Sequence, residues 1–345
     1  MLLISGHEEV TTIPCAYCFG SLFEDCRGLT AAPELSATTL TDSCYWMLFR
    51  NCTSLTAAPE LPAATLAEWC YAAMFLNCTS LTMAPELPGT TLAAYCYSDM
   101  FSSCTNLTAA PALPATTLAT GCYQGMFYRC TNLVTVPVFP AATLAPSCCV
   151  RMFSGCTSLT NAPALPATTL AEKCYMYMFD NCTGLTAAPD LPATTLTEMC
   201  YRAMFMGCTG LTAAPELPAT ALAVSCYELM FNKCTGLITA PALPATALAE
   251  RCYHSMFSGC TNLTVAPDLP AGVLAENCYA SMFIGCSNLR AVKCLATDIS
   301  ADGCVFGWLA RTASSGTFVK AAGMNDWKMG SNGIPKGWTV RDDIQ

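Results

Sequence analysis

Apolar and polar positions recur along most of this chain at a fixed step of 26 residues. One unit, Cys200 to Leu222, reads C-Y-R-A-M-F-M-G-C-T-G-L-T-A-A-P-E-L-P-A-T-A-L. In its first part Cys200, Met204 and Cys208 fall at i, i+4 and i+8, with Tyr201 and Phe205 beside them. That spacing predicts an apolar stripe on a helix of about two turns. So short a helix does not hold alone, so it must pack on its counterparts in neighbouring units. Leu211 to Pro215 predicts a short strand, stopped by the proline because a proline cannot donate to a sheet ladder. Leu217 to Thr220 is expected to be extended, since Pro218 restricts the residue before it. Leu222 gives one more apolar anchor. A helical side, a strand side and an extended return close one coil, and stacked strands would lie about 4.8 Å apart.

Two cysteine ladders fix the register. One runs from Cys26 through Cys52 and Cys78 to Cys286, the other from Cys18 through Cys44 and Cys70 to Cys304. Only Cys15, Cys149 and Cys294 lie outside them. A period kept without insertion or deletion is the signature of a stacked array. The expected organisation is a lead-in over 1–17, a repeat solenoid over 18–309 of about eleven units plus a partial twelfth, and a C-terminal cap over 310–345. Leu289, Leu295, Cys304 and Trp308 continue the register, and the tail predicts two short strands in turn-rich sequence. Trp308, Trp327 and Trp338 are candidates to cover the last apolar face.

Composition narrows the function. Apolar residues make up 53% and charged residues 11%, which excludes a disordered chain. The net charge is −9 and no Lys/Arg cluster occurs, so nucleic acid and anionic membranes are not expected partners. No apolar run reaches the ~18 residues of a membrane span, and MLLISGHEEV lacks the basic start of a secretion signal.

The ladders invite a disulfide or metal reading. On a helix, two cysteines eight residues apart are separated by ~12 Å of rise, and packed helices would hold neighbouring cysteines ~8–10 Å apart. Both exceed the ~7 Å that a disulfide tolerates. The ladders contain no C-x-x-C, and no histidine pair accompanies them, so no metal site is expected and the cysteines read as small buried thiols. So many thiols suit a reducing or anaerobic setting. His7 and His254 have no nucleophile or acid pattern around them, and no phosphate loop or recurring carboxylate pair occurs. An enzyme is therefore not expected, and neither is a cofactor. The ladder Glu60, Glu86, Asp190, Glu216 and Asp268 reads as a solvated polar edge, or as a site for a cation or a basic partner.

The variable positions carry Trp46, Arg50, Trp69, Tyr95, Tyr128, Arg129, Arg151, Tyr177, Arg202 and Arg251. Trp, Tyr and Arg are the types enriched where partners bind, and these residues are the candidate partner-binding set.

The run M-F-x-x-C-T-x-L-T, as in Met204 to Thr212, resembles the BspA-like, type-5 leucine-rich repeats of surface proteins from anaerobic gut and oral bacteria. Phe205, Cys208, Leu211 and Pro218 occupy the pattern's places, and the likeness covers roughly residues 15 to 310. Two departures are plain: the family's usual repeat is nearer 23 residues, and its strand normally has a β-branched residue where this chain has Ala214-Pro215. The resemblance implies an α/β repeat solenoid, a right-handed leucine-rich-repeat-like coil with strands on one side and short helices on the other. It also implies a cell-surface or extracellular protein that binds a host protein, a glycan or a neighbouring cell. A monomer is expected. The other reading is a structural spacer with no ligand of its own.

Overall fold

The computed structural model describes residues 11–343; His7 lies outside them. The chain divides into two compact units, Met1–Pro166 with Cys182–Gly184, and Ala167–Asn181 with Leu185–Gln345. Both are built from the same 26-residue turn.

The expected helices are absent among the described residues. In their place each C-Y-x-x-M-F-x-x-C segment is a run of overlapping tight turns. In the first unit, Ala72, Met74, Leu76 and Cys78 donate their N–H to the carbonyl three residues back, at 3.0–3.2 Å. The residues between them donate across the stack instead: Tyr71 N to Cys96 O at 3.0 Å, Ala73 N to Ser98 O at 2.7 Å, Phe75 N to Met100 O at 2.9 Å and Asn77 N to Ser102 O at 2.7 Å. The second unit repeats this, with Tyr227 bonded to Cys252, Leu229 to His254 and Phe231 to Met256. Every backbone donor of the segment is thus satisfied without a helix.

The turns need a left-handed residue at every fourth position. Trp69, Ala73 and Asn77 have φ of 56°, 51° and 60°, and Met199 and Ala203 have 52° each. Side chains therefore point in by pairs and out by pairs. Cys44 and Tyr45 are buried, Trp46 and Met47 half-buried, Leu48 and Phe49 buried, Arg50 and Asn51 half-buried, and Cys52 buried. A four-residue step places i, i+4 and i+8 on one face as a helix would, which is why the apolar pattern alone predicted one.

The core is a set of columns. Phe23, Phe49, Phe75, Phe101, Phe127 and Phe153 stack in the first unit at 5.5–5.7 Å between ring centres. Phe179, Phe205, Phe231, Phe257 and Phe283 do so in the second at 5.6–5.7 Å. Tyrosine columns run beside them, Tyr45 to Tyr123 and Tyr175 to Tyr279. Where Cys149 stands in the tyrosine position, Phe139 replaces the usual leucine and meets Tyr123 edge-on at 6.3 Å.

The cysteines of one ladder have a defined task. Cys78 Sγ donates to Phe49 O at 3.1 Å and Cys104 Sγ to Phe75 O at 3.1 Å; in the second unit Cys234 and Cys260 bond Phe205 O and Phe231 O in the same way. The carbonyl that takes the turn's own N–H thus takes a thiol from the next repeat as well. A residue here must be small, apolar and a weak donor, and cysteine meets all three needs. Burial holds these thiols above their ordinary range: Cys130 and Cys234 are pushed up to about 12. From Cys44 to Cys304 the thiols are buried, whereas Cys15 and Cys26 are exposed and Cys18 is half-buried. The spacing argument made against disulfides from packed helices does not survive, because the segments carrying the cysteines are hydrogen-bonded like strands rather than packed as helices.

The expected strands shrink for most repeats to single parallel bridges, such as Ala31 to Ala57 and Thr65 to Thr91 in the first unit, and Ala213 to Thr239 and Ala221 to Ala247 in the second. The recurring proline removes the N–H that would extend them. Where Lys293 replaces that proline, a true strand forms: β1, Ala291–Cys294. It pairs in parallel with β2, Thr317–Lys320, which pairs in parallel with β3, Thr339–Asp342. The longer strand also slips the register by one residue. Leu269 bridges Cys294, so Cys294 and Ala296 take the two buried places and Leu295 turns partly outward. Leu295 therefore does not continue the register as expected.

At this end Trp308 is fully buried, stacks on Tyr279 and Trp327, and donates Nε1 to Gly333 O at 2.9 Å. Trp338 donates Nε1 to Ala313 O at 2.8 Å. No described helix is long and apolar enough to cross a membrane.

Candidate binding surface

The outward pairs of the turn segment hold all ten candidate residues. Along the stack, residues 26 apart form columns, so neighbours in a column touch.

In the first unit one column reads Ser43, Trp69, Tyr95, Gly121. The Trp69 and Tyr95 rings stack at 4.3 Å and 13°. Tyr95 in turn lies flat over Gly121, where a Cβ would sit 2.2 Å from its ring. Gly121, at φ 57°, is thus the one residue type that lets Tyr95 lie down. The result is a two-ring platform with Trp69 outermost and 36% exposed. Beside it Asp99 lies over Gly125, where a Cβ would meet its Oδ1 at 2.1 Å. Burial pushes the Asp99 carboxyl up, while a hydrogen bond from Ser98 and the charge of Arg151 pull it back.

The remaining first-unit candidates have their own partners. Trp46 meets exposed Tyr17 edge-on at 6.4 Å. Arg50 pairs with Glu24 at 2.8 Å. Exposed Arg129 lies over the Tyr128 ring at 5.1 Å.

The second unit uses its cations differently. Arg202, Glu228 and His254 form one column, and Arg251 reaches in from the next turn. Glu228 is only 3% exposed; Arg251 Nη2 approaches its Oε1 at 2.7 Å, Arg202 Nε its Oε2 at 3.4 Å and His254 Nδ1 its Oε1 at 3.7 Å. Burial alone would raise the Glu228 carboxyl, but the hydrogen bonds from Arg251 and Ser225 and the charges of both arginines hold it below its ordinary value. Burial, then the charge of Arg251, lowers His254. Arg202 and Arg251 are thus turned onto a buried carboxylate of their own chain. Tyr177, half-buried, donates its N–H to Arg202 O at 2.9 Å.

This cluster makes stability depend on acid. Below pH 6.5 the unfolded chain protonates His254 while the folded chain resists, and below pH 4.5 the same holds for Glu228. In both windows the unfolded state binds more protons, so stability falls as pH falls. Glu228→Gln should remove the part of that decline below pH 4.5, and His254→Gln the part just below pH 6.5, in urea midpoints followed against pH. Glu228→Ala should cost about 2 kcal/mol at neutral pH, less than for a fully buried pair because the arginines keep some water.

A second surface lies on the proline side. In the first unit the segments around Pro59–Pro62 and Pro85–Pro88 enclose a shallow groove of about 480 Å³, floored by Ala and Pro and edged by Glu60 and Glu86. The second unit has a smaller one of about 370 Å³ between Pro241–Pro244 and Pro267–Pro270, edged by Asp268. The acidic ladder Glu60, Glu86, Asp190, Glu216 and Asp268 is exposed throughout. Among the described residues no group of three or more His, Cys, Asp or Glu is placed to hold a metal ion.

Sequence reasoning missed Tyr17, Glu24, Asp99 and Glu228 as neighbours of the chosen residues. The signal existed: writing the chain in rows of 26 puts Arg202, Glu228 and His254 in one column and Glu24 above Arg50. Compared with models of known protein families and with the curated proteins, the chain matches none of either.

Proposed function

We propose that this chain is a non-enzymatic binding module of a cell surface, presenting its outward turn face to a protein or a glycan. The observation that carries this reading is the Trp69–Tyr95 platform. Its two rings lie parallel because Gly121 leaves room for Tyr95 to lie flat, and Trp69 stays open to water beside core columns of buried Phe and Tyr. A rigid aromatic face loses little conformational freedom on binding, and it suits a sugar's C–H face or an arginine or proline of a protein. The surface location and the right-handed leucine-rich-repeat coil belong to the same proposal and rest on the resemblance to BspA-like repeats.

The test is a glycan array, run together with a surface-protein panel, on the wild-type chain and on Trp69→Ala/Tyr95→Ala. The expected result is a bound ligand whose affinity falls at least about tenfold in the double variant, a loss of ~1.4 kcal/mol, with circular dichroism unchanged. Binding that is equal in both chains would overturn the assignment of this face. A spacer reading draws on one observation of its own: Arg202 and Arg251 are engaged with Glu228. On that reading the second unit's cations serve the fold.

A further inference from the structure

Cys15 stands outside both ladders, yet it lies three residues before Cys18 in Cys15-Ala16-Tyr17-Cys18, a C-x-x-C that the ladder spacing hides. In the following turns the place of Cys15 is taken by Thr41, Ala67 and Ala93. There the first and fourth residues are closed by a backbone bond, Cys44 N to Thr41 O at 3.2 Å, Cys70 N to Ala67 O at 3.4 Å and Cys96 N to Ala93 O at 3.4 Å. A tight turn brings its end Cα atoms within ~7 Å, which overlaps the ~4.4–6.8 Å that a disulfide spans. At the first turn these two places are held by Cys15 and Cys18 themselves, and the chain turns between them at residues 16 and 17.

The backbone around them is already fixed. Thr41 Oγ1 donates to Cys15 O at 2.7 Å, Tyr17 N to Asp42 O at 3.1 Å and Phe19 N to Cys44 O at 2.9 Å. Tyr17, at φ 54°, supplies the left-handed third residue of the turn. Access adds to this: Cys15 and Cys26 are exposed and Cys18 half-buried, whereas the ladder thiols from Cys44 onward are buried, and Cys26 has no second cysteine three residues away.

We propose that Cys15 and Cys18 form a dithiol–disulfide exchange site whose co-substrate is a low-molecular-weight disulfide. The Cys15 thiolate attacks one sulfur of that disulfide, forming a mixed disulfide and releasing one thiolate. The Cys18 thiolate then attacks the Cys15 sulfur, forming the Cys15–Cys18 bond and releasing the second thiolate. The two protons given up by the cysteines go to the two released thiolates, and the small disulfide takes the two electrons. Burial, and then the adjacent Cys15 thiol, hold the Cys18 thiol above its ordinary range, which leaves the exposed sulfur to attack first. The closed bond would lock the first turn of the first unit, and a reducing thiol would reopen it.

The test treats the reduced, folded full chain with oxidised glutathione, quenches in acid, alkylates and cuts after Glu24, which separates Cys15 and Cys18 from Cys26. The expected fragment has lost two hydrogens and carries neither alkyl group nor glutathione. In Cys15→Ser or Cys18→Ser the remaining cysteine should keep its glutathione or be alkylated. Alkylation of both cysteines in the wild type, glutathione retained on either, or a bond from Cys18 to Cys26 or Cys44 would each overturn the proposal.

Discussion

Phe101→Ala is expected to destabilise the first unit by about 5 kcal/mol, the top of the range for emptying a buried aromatic site. Phe101 is fully buried and stacks on Phe75 at 5.6 Å and Phe127 at 5.7 Å. Its removal leaves a ring-sized void inside a column, and both neighbours are held by their own cross-stack bonds, Phe75 N to Met100 O and Phe127 N to Met152 O, each 2.9 Å. The backbone therefore cannot collapse into the gap, which places the cost near the top of the range. Urea unfolding followed by aromatic fluorescence reads the loss. The double variant Phe75→Ala/Phe101→Ala should cost less than the sum of the two single changes, because the stacking between the two rings is removed only once.

The second large effect separates the turn architecture from a helix by its size. Ala203 is fully buried at φ 52°. Ala203→Val places a β-branched side chain in the left-handed region and overfills the site, and should cost about 3 kcal/mol. In a helix the same change would cost only about half a kcal/mol of propensity before any packing. Ser281, half-buried at φ 54°, gives the converse. Ser281→Gly relieves the left-handed strain and should stabilise the second unit by about 0.5 kcal/mol, whereas in a helix glycine would destabilise. Thermal unfolding of the two variants beside the wild type checks the size of the first effect and the sign of the second.

These residues show what the sequence could and could not tell. The repeat was legible because the Cys, Met, Phe and Leu positions hold a 26-residue step, and those positions are the buried columns. The helix was wrong because Cys200, Met204 and Cys208 satisfy a step of four as well as one of 3.6 over so short a run. The distinguishing signal lies just before the second cysteine, where Asn51, Asn77, Gly155, Asn181, Gly207, Gly259 and Gly285 recur. Asn and Gly are the types that accept positive φ, and they are poor helix formers. The strand side was overread for a related reason, since a proline in nearly every repeat leaves single bridges, and only Lys293 frees a full strand.

For the surface, residue type at the variable positions found the rings of Trp69 and Tyr95. It could not tell an arginine facing water from one bonded to Glu228, because that depends on the neighbour one turn away. Cys15 stands out as a cysteine off the ladders, but its three-residue spacing to Cys18 is hidden by a reading in steps of 26.

The central claim is that the C-Y-x-x-M-F-x-x-C segments bond across the stack. NMR couplings between an amide nitrogen and the carbonyl carbon at the other end of its hydrogen bond read this directly. The predicted correlations are Tyr71 N to the Cys96 carbonyl and Phe75 N to the Met100 carbonyl, with Met74 N to the Tyr71 carbonyl between them. Correlations from Met74 and Phe75 to the carbonyls four residues before them would contradict it.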